Sequence, residues 1–172
     1  AIECGADIVN DISGFTMDSK MPIIVSDYGV PIILMHIKGN PKTMQNNPEY
    51  DDVIEEINSY FLNQISIAKA AKINPEKIIL DPGIGFGKNL EHNFSMLNRL
   101  NELCIHGYPI MIGTSRKSFI GLTLDLPPND RVEGTAATVS VGIMNGARII
   151  RVHDVKEMKR VVTIVEKIRL AI

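Results

Sequence analysis

The chain has 172 residues, of which 45% are hydrophobic and 22% charged, and its formal net charge is -2. This length and composition are typical of one globular domain with a sizeable core. The charge balance excludes a basic surface for nucleic acid, and no apolar run approaches the roughly 20 residues of a membrane-spanning helix. Cys4 and Cys104 lack metal-ligand spacing, so we expect reduced thiols, no zinc site and a cytoplasmic protein.

Five short apolar runs, each preceded by a helix-stop signal, predict β-strands. A glycine followed two or three residues later by an Ile-led run occurs at Gly5, Gly29, Gly107 and Gly146, and glycine accepts the left-handed conformation that ends a helix. Asn74 with Pro75 supplies the fifth stop. The predicted strands are Asp7–Ile12, Pro31–Met35, Lys77–Asp81, Pro109–Gly113 and Ala147–Val152.

Segments with helical periodicity separate these strands. Asp130 with Glu133, and Asp154 with Glu157, have the spacing of a capping box at the start of the last two helices. The predicted buried positions are Val53, Ile54, Ile57, Phe61, Ile65 and Ala68, then Leu90, Phe94, Leu97 and Leu100, and on the last helix Val155, Met158, Val162, Val165 and Ile168. The alternation predicts an α/β fold with a parallel sheet, either doubly wound or part of a (β/α)8 barrel.

In either fold, functional groups are expected at the carboxyl ends of the strands. Asp81 ends an apolar run and is followed by a loop rich in Pro and Gly. It either caps this turn or accepts two parallel N–H bonds from an amidine-like edge, such as that of a pterin or guanine. Asn10, after the first strand, would complement such an edge, and Phe86 in the loop would wall off an aromatic ring.

A second group of polar residues follows the last two strands. Arg151 and His153 are two residues apart on one strand, so their side chains share a face. With Arg116 and Ser115 from the preceding loop they suit an oligophosphate. The alternative is a local ion pair for Arg151 and a structural His153. The long polar segment 36–49 is either a binding loop or a solvated connector.

Five motifs in this order resemble bacterial dihydropteroate synthase, and the resemblance covers essentially the whole chain. The motifs are Asn10-Asp11-Ile12, Met35-His36 with Gly39–Gln45, Asp81–Lys88, Ser115–Ser118 and Arg151–Asp154. The resemblance implies a pterin-binding (β/α)8 TIM barrel. Residues 1–172 would form one domain that holds the last five β-α units and lacks the first three.

The activity implied by the resemblance is that of a transferase in folate biosynthesis. It would condense 6-hydroxymethyl-7,8-dihydropterin pyrophosphate with p-aminobenzoate, and pyrophosphate would leave before the amine attacks. Mg²⁺ would be bound through the pyrophosphate and a loop with no counterpart here, with no metal ligand in this chain. A cytoplasmic homodimer, small-molecule substrates, sulfonamide binding and no nucleic-acid or membrane partner are also implied. The chain alone is expected to be incomplete for catalysis.

The resemblance also implies roles for individual residues by matching position. Pterin would contact Asn10, Ile12, Met35, Asp81, Phe86, Gly113 and Lys117. The p-aminobenzoate pocket would include Phe86, Lys117 and Ser118, and the pyrophosphate site Arg116, Arg151 and His153. The catalytic set would be Asp81, Lys117, Arg151 and His153.

Two other functions stay open. A pterin-binding methyltransferase domain shares the barrel and the pterin-edge Asn and Asp, but its substrate carries no pyrophosphate. A non-catalytic fragment would retain only a partial pterin pocket. The small residues of the predicted helix 132–144, including Gly134 and Gly142, indicate either a homodimer contact or close packing against the barrel.

Overall fold

The computed structural model describes residues 1–171, and its strands form two parallel sheets. The strands are β1 (Val9–Asp11), β2 (Ile32–Met35), β3 (Ile78–Asp81), β4 (Met111–Ile112) and β5 (Ile149–Ile150). The first three make one sheet and the last two the other, and a parallel bridge between Leu80 and Ile110 joins them. All five strands therefore lie side by side in chain order.

This strand order decides between the two predicted folds. A doubly wound sheet reverses its order at a switch point, whereas a barrel places each new strand beside the previous one. Ile32, Leu34, Ile78 and Leu80 on one face are fully buried, in the same core as the helices. The opposite face is less covered, and its Asn10 is exposed. The prediction of an α/β fold of the barrel type is confirmed.

Six α-helices follow or separate the strands in residues 1–171. They are α1 (Met21–Tyr28), α2 (Val53–Ala70), α3 (Leu90–Asn98), α4 (Ser118–Leu124), α5 (Val132–Met144) and α6 (Val155–Leu170). Short 3-10 helices occupy Ile2–Cys4, Pro75–Lys77, Leu100–His106 and Pro128–Asp130. Within this described part of the chain, no helix has the length and apolar character needed to cross a membrane.

The longest helix, α2, forms as its sequence predicts. The Asp52 carboxylate accepts the backbone N–H groups of Ile54 and Glu55, which satisfies two of the donors left free at a helix start. All six predicted apolar positions of α2 are buried against the sheet. Together with the core-facing strand residues they form the main hydrophobic core.

The ends of several elements differ from the predictions. All five strands are shorter than predicted: β2 and β3 begin one residue late, and β1, β4 and β5 lose one or two residues at each end. The two predicted capping boxes are wrong. Helix α5 begins at Val132 after Arg131, and neither Arg131 nor Asp154 makes a side-chain capping bond. Lys72, with φ of 63°, takes the left-handed position that ends α2, while Asn74 caps the next 3-10 helix.

The apolar stripe of α6 is only partly buried. Met158 and Val165 pack against Val139 and Ile143 of α5, as predicted. Val155 and Ile168 are 63% and 60% exposed, contrary to the prediction. Helix α3 differs in the same way, since Leu97 is buried while Phe94 is 41% exposed. These apolar side chains have no cover in residues 1–171.

Candidate functional site

The pterin-edge residues predicted from the sequence share one face of the sheet. Asn10 is in register with Ile33, and Met35 is in register with Asp81. Because side chains alternate along a strand, Asn10, Met35 and Asp81 project from the same inner face. Met35 and Asp81 are buried, and the exposed Asn10 leaves its amide free for a ligand.

The neighbours of Asn10 have different environments. Asp11 projects from the opposite face, where its carboxylate accepts N–H bonds from Ser13 at 2.8 Å and Phe15 at 2.7 Å. It therefore shapes the turn after β1 and does not face the site. Ile12 lies one residue beyond β1 and is half-buried.

Asp81 is the buried acid at the centre of the site. Its Oδ1 accepts the Gly83 N–H at 2.8 Å, and its Oδ2 lies 3.8 Å from Arg151 Nη2. Burial raises the pKa of this carboxyl, against the opposing effects of the Gly83 N–H and of Arg151, Lys88 and Lys117. Asp81 therefore caps the turn, one of the two alternatives that the sequence offered, and its side chain projects from the inner face of the sheet.

Arg151 and His153 line one pocket of about 250 Å³ with Gly113, Ser115, Lys117 and Val152. The Arg151 guanidinium lies against Gly113, where a Cβ would come within 3.2 Å of Nη2. The missing side chain at Gly113 therefore lets the guanidinium turn toward Asp81. Arg151 and His153 thus line the same pocket, but the prediction that they lie on one strand is wrong, because β5 ends at Ile150.

The imidazole of His153 is oriented by Ser115. Ser115 Oγ lies 3.0 Å from His153 Nδ1 and accepts the His153 backbone N–H at 3.2 Å. When the hydroxyl donates to Nδ1, the proton of the neutral ring is on Nε2, which then serves as a donor. Ser115 itself is buried, whereas His153 is exposed to the pocket.

Arg116 is engaged differently from the prediction. Its guanidinium forms an ion pair with Asp154, with Nε 3.1 Å from Oδ2, and Nη1 donates to Asn129 Oδ1 at 3.0 Å. The carboxylate expected to cap α6 is therefore occupied by Arg116. Arg116 is also absent from the lining of the pocket that contains Arg151 and His153. A pyrophosphate would have to compete with two internal acceptors for this side chain.

Lys117 connects the pocket that contains Arg151 and His153 to the aromatic ring of Phe86. Its Nζ lies 4.2 Å from the Phe86 ring centroid, a cation–π contact. Burial and the nearby Arg151 lower the pKa of Lys117, and Asp81 opposes them. Ser118 begins α4 on the exposed side of this contact. The three residues predicted for a p-aminobenzoate pocket thus include one close pair, Lys117 and Phe86.

The donor set does not fit a resident metal ion. Within residues 1–171, no three His, Cys, Asp or Glu side chains cluster closely enough to hold one. The pocket beside Asp81 is lined by two cations, Lys117 and Arg151, which would repel a metal ion. The thiols of Cys4 and Cys104 are free and not joined to each other.

Sequence reasoning missed two residues that hold the site together. Arg131 donates to the backbone carbonyls of Arg116 and Lys117, at 2.9 and 3.2 Å, and so clamps the loop before α4. Lys88, the last residue of the Gly-rich loop, is buried against His36. Nothing in the local sequence indicates either contact, because the partners are 14, 15 and 52 residues away.

The strand order and the convergent polar groups define a barrel-type enzyme site at the carboxyl ends of the strands. The profile of the pterin binding enzyme family matches residues 1–153. The chain belongs to this family.

Curated relatives are dihydropteroate synthases. The protein of Synechocystis sp. is 49% identical over 162 residues, which are 94% of this chain and 56% of the relative. That of Escherichia coli K12 is 48% identical over 94% of this chain and 57% of its own length. The chain therefore spans little more than half the length of these relatives.

Solved structures give the same result. A Yersinia pestis dihydropteroate synthase with a sulfonamide drug complex matches with a TM-score of 0.95 and 44% identity, over 98% of this chain and 61% of that one. A Stenotrophomonas maltophilia dihydropteroate synthase with imidazole bound in its active site matches with a TM-score of 0.94 and 33% identity, over 99% and 64%. The resemblance seen in the sequence motifs is confirmed.

Proposed function

We propose that the protein is a dihydropteroate synthase, a transferase that joins 6-hydroxymethyl-7,8-dihydropterin pyrophosphate to p-aminobenzoate. The observation that carries the proposal is the position of Asp81, 3.8 Å from Arg151 at the edge of a pocket that also contains Lys117 and His153. This arrangement offers an acceptor for a pterin edge beside donors for a pyrophosphate, so one substrate can span both.

The pterin ring is proposed to lie on the inner face of the sheet. Asp81 would accept from the 2-amino group and the adjacent ring N–H, and Asn10 would supply both a donor and an acceptor. Two such N–H donors favour the ionised carboxylate and offset the effect of burial on the Asp81 pKa. Met35, Ile12 and Gly113 would contact the ring.

The leaving group is proposed to bind at Arg151 and His153. The bond between the pterin methylene carbon and the pyrophosphate oxygen breaks with its electron pair going to oxygen, and the guanidinium and the Nε2–H stabilise the charge that develops there. The p-aminobenzoate nitrogen then attacks the methylene carbon beside Phe86, Lys117 and Ser118 and loses a proton. Asp81 would help to stabilise the cationic pterin between the two steps.

Mg²⁺ is expected to accompany the pyrophosphate in this proposal. The side chains of residues 1–171 do not provide a site for it, so the ion would be held by the phosphate oxygens and by residues outside this stretch.

A pterin-binding methyltransferase is the nearest alternative. It would use the inner-face Asn10 and Asp81 equally well. It gives no reason for Lys117, Arg151 and His153 to line one pocket next to Asp81, because a methyl donor carries no pyrophosphate. The pocket therefore favours the synthase.

The test of the proposed function uses the native protein that contains residues 1–172. Incubation with both substrates should release dihydropteroate and pyrophosphate in equal amounts. Calorimetry should show that pyrophosphate strengthens pterin binding. Pterin binding that pyrophosphate leaves unchanged, without turnover, would support the methyltransferase, and no pterin binding would support a non-catalytic fragment.

We also propose that residues outside this stretch are needed for turnover, since the matched relatives are longer. Purified residues 1–172 should show little or no product formation. Turnover of this stretch alone at a rate close to that of the native protein would contradict the proposal. A cytoplasmic location is part of the proposal, and the two free thiols support it.

A homodimer built on α5 and α6 is proposed as the assembly. Gly134 and Gly142 do not contribute, because a Cβ on either would collide with Ile120 or Ile112 of this chain. The other side of these helices carries an apolar groove that includes Met144, 52% exposed, and Ile164, 61% exposed. Such a surface is typical of a protein–protein contact.

A further inference from the structure

Lys88 is a buried lysine that the chemistry above does not use. Lys88 is only 3% exposed, although lysine is among the residues least often fully buried. None of the ion pairs among residues 1–171 includes Lys88. Burial lowers its pKa to about 7, while the charge of Asp81 opposes that shift. Because burying an ammonium group costs free energy, the burial of Lys88 indicates a specific role.

The contacts of Lys88 join two strand ends. Its Nζ lies 3.0 Å from Nδ1 of His36, which follows β2, and donates to the carbonyl oxygen of Phe86 at 2.9 Å. An ammonium is only a donor, so Nδ1 accepts and the neutral imidazole carries its proton on Nε2. Burial and the nearby Lys88 and Lys38 lower the pKa of His36 to about 2, which keeps this ring neutral.

The Gly-rich loop lies directly on the segment that carries His36. A Cβ on Gly83 would collide with the His36 carbonyl oxygen, and one on Gly87 with the Lys38 carbonyl oxygen. Further bonds hold the same loop from outside: Gln45 Nε2 donates to the Gly85 carbonyl at 2.6 Å, and Tyr50 Oη donates to the Gly87 carbonyl at 2.8 Å.

Phe86 lies in this loop between Gly85 and Gly87, both of which have left-handed φ. Its carbonyl oxygen is held by Lys88, and its ring lies under Lys117 Nζ. Because Gly85 and Gly87 restrict the backbone little, the orientation of the ring depends on these contacts. The bond from Lys88 holds the Phe86 main chain, is itself part-buried, and comes from a lysine that is 3% exposed.

We propose that Lys88 is a positioning residue, which ties the Gly-rich loop to the end of β2 through His36 and thereby fixes the Phe86 ring as a wall of the aryl-amine pocket. The proposal rests on the proposed function, since it is the p-aminobenzoate side of the site that Phe86 would line. Lys88 does not touch substrate, and its effect is carried by Phe86.

The test compares Lys88→Met and Lys88→Arg in the native protein that contains this sequence, with the exposed Lys69→Met of α2 as the matched control. Lys88→Met should raise KM for p-aminobenzoate about 10-fold or more and leave pterin affinity, measured by calorimetry, within about twofold. Lys88→Arg keeps both donors and should restore most of this KM. Lys69→Met should behave as wild type.

A double-variant cycle separates positioning from a general structural role. In a Phe86→Ala background the effect of Lys88→Met on this KM should fall to within about twofold, because the residue through which it acts is gone. Equal effects with and without the Phe86 ring would overturn the proposal, as would an unchanged KM in a folded Lys88→Met variant.

Loss of the fold and loss of activity have separate meanings in this test. If Lys88→Met loses the native circular dichroism spectrum, Lys88→Gln replaces it with the same expected results. If both variants lose the fold, Lys88 has a purely structural role and the proposal is overturned. If wild-type protein forms no dihydropteroate, the proposed function fails. If the wild-type protein turns over substrate and the Lys88 variants behave as wild type, only the proposal for Lys88 is overturned.

Discussion

The carboxylate of Asp81 and the guanidinium of Arg151 lie 3.8 Å apart at the ends of two strands that do not pair with each other, and Asp81 is 2% exposed. The separation is longer than a hydrogen bond, and the Arg151 guanidinium opposes the rise that burial causes in the Asp81 pKa. Each group keeps atoms free for a ligand.

Asp81→Asn should weaken pterin binding by about 10- to 100-fold, because it replaces a charged acceptor oxygen by a donor at constant shape. Isothermal titration with a pterin is the measurement. Asp27→Asn, an exposed change on α1, is the matched control and should bind as wild type.

The same residue predicts a pH dependence. Burial raises the Asp81 pKa above its ordinary value of 3.8, so the acceptor should be lost as the pH falls through that higher pKa. Wild-type affinity should decline on acidification while that of Asp81→Asn stays flat. Parallel declines in both proteins would show that another group titrates, and undiminished affinity of the variant at neutral pH would remove Asp81 from the site.

Arg151→Met should weaken pyrophosphate binding far more than Arg116→Met. Arg151 lines the pocket proposed for pyrophosphate, whereas Arg116 is held by Asp154 and Asn129. We expect a loss of about 10-fold or more for the first variant and about threefold or less for the second, from competition binding of pyrophosphate. The reverse order would restore Arg116 to the primary anion site implied by the sequence resemblance.

Gly142→Ala should destabilise the protein although alanine is the better helix former. The gain in helix propensity is about 1 kcal/mol, but the new Cβ collides with Cδ1 of the fully buried Ile112, at a cost of about 1–3 kcal/mol. Denaturant unfolding should show a net loss of about 1 kcal/mol.

Ile112→Val removes the colliding methyl group and provides the control for this prediction. The double variant Gly142→Ala/Ile112→Val should be more stable than the sum of the single changes, because Cδ1 is absent. Additive effects would show that the collision is relieved elsewhere in the core.

Lys88 should make stability rise with pH. Its folded-state pKa of about 7 lies below its unfolded value of 10.5, so between these values the unfolded chain binds a proton that the folded chain does not. Stability therefore increases from about pH 7 upward, at most by about 1.4 kcal/mol per pH unit. Below a pH of about 7 the lysine is protonated in both states, and the full destabilising effect of burying its ammonium group is present.

Lys88→Met isolates this contribution from other titrating groups. The unfolding free energy of wild type minus that of the variant should increase from about pH 7.5 to about pH 9.5. Both pH values lie between the folded-state and unfolded-state pKa of Lys88. A difference that does not change with pH would contradict a buried, titrating Lys88.

Ile164→Glu should dissociate the proposed dimer, because it places a charge in the exposed groove between α5 and α6. Sedimentation velocity of the native protein is the measurement. Ile105→Glu, which changes a 73% exposed isoleucine outside these two helices and outside the groove, should leave the assembly unchanged. A monomeric wild-type protein would contradict the proposed dimer.

Local signals in the sequence were enough for the strand end that carries Asp81, because an apolar run ending in one polar residue depends only on neighbouring positions. They were also enough for the buried stripe of α2. The order of the strands follows from pairing between distant segments, and the sequence left the doubly wound sheet and the barrel both open. The observed order settled that point.

One failure has a clear physical cause, which is competition for a side chain by a distant partner. Asp154 has the spacing of a helix cap, but Arg116, 38 residues earlier, forms an ion pair with its carboxylate. An ion pair joins two charged groups, whereas a cap joins the carboxylate to neutral N–H groups, so the ion pair replaced the cap. The contact between Lys88 and His36 is equally distant in sequence and had no local signal.

The two collisions at Gly83 and Gly87 also limit how this site can diverge. The obstacles are carbonyl oxygens of the main chain at His36 and Lys38, which no amino-acid replacement can trim away. A mutant with any larger residue at either glycine must move the backbone of the neighbouring loop. Variation that reshapes the aromatic wall while keeping the fold is therefore channelled to Phe86 and to the side chains that touch its ring.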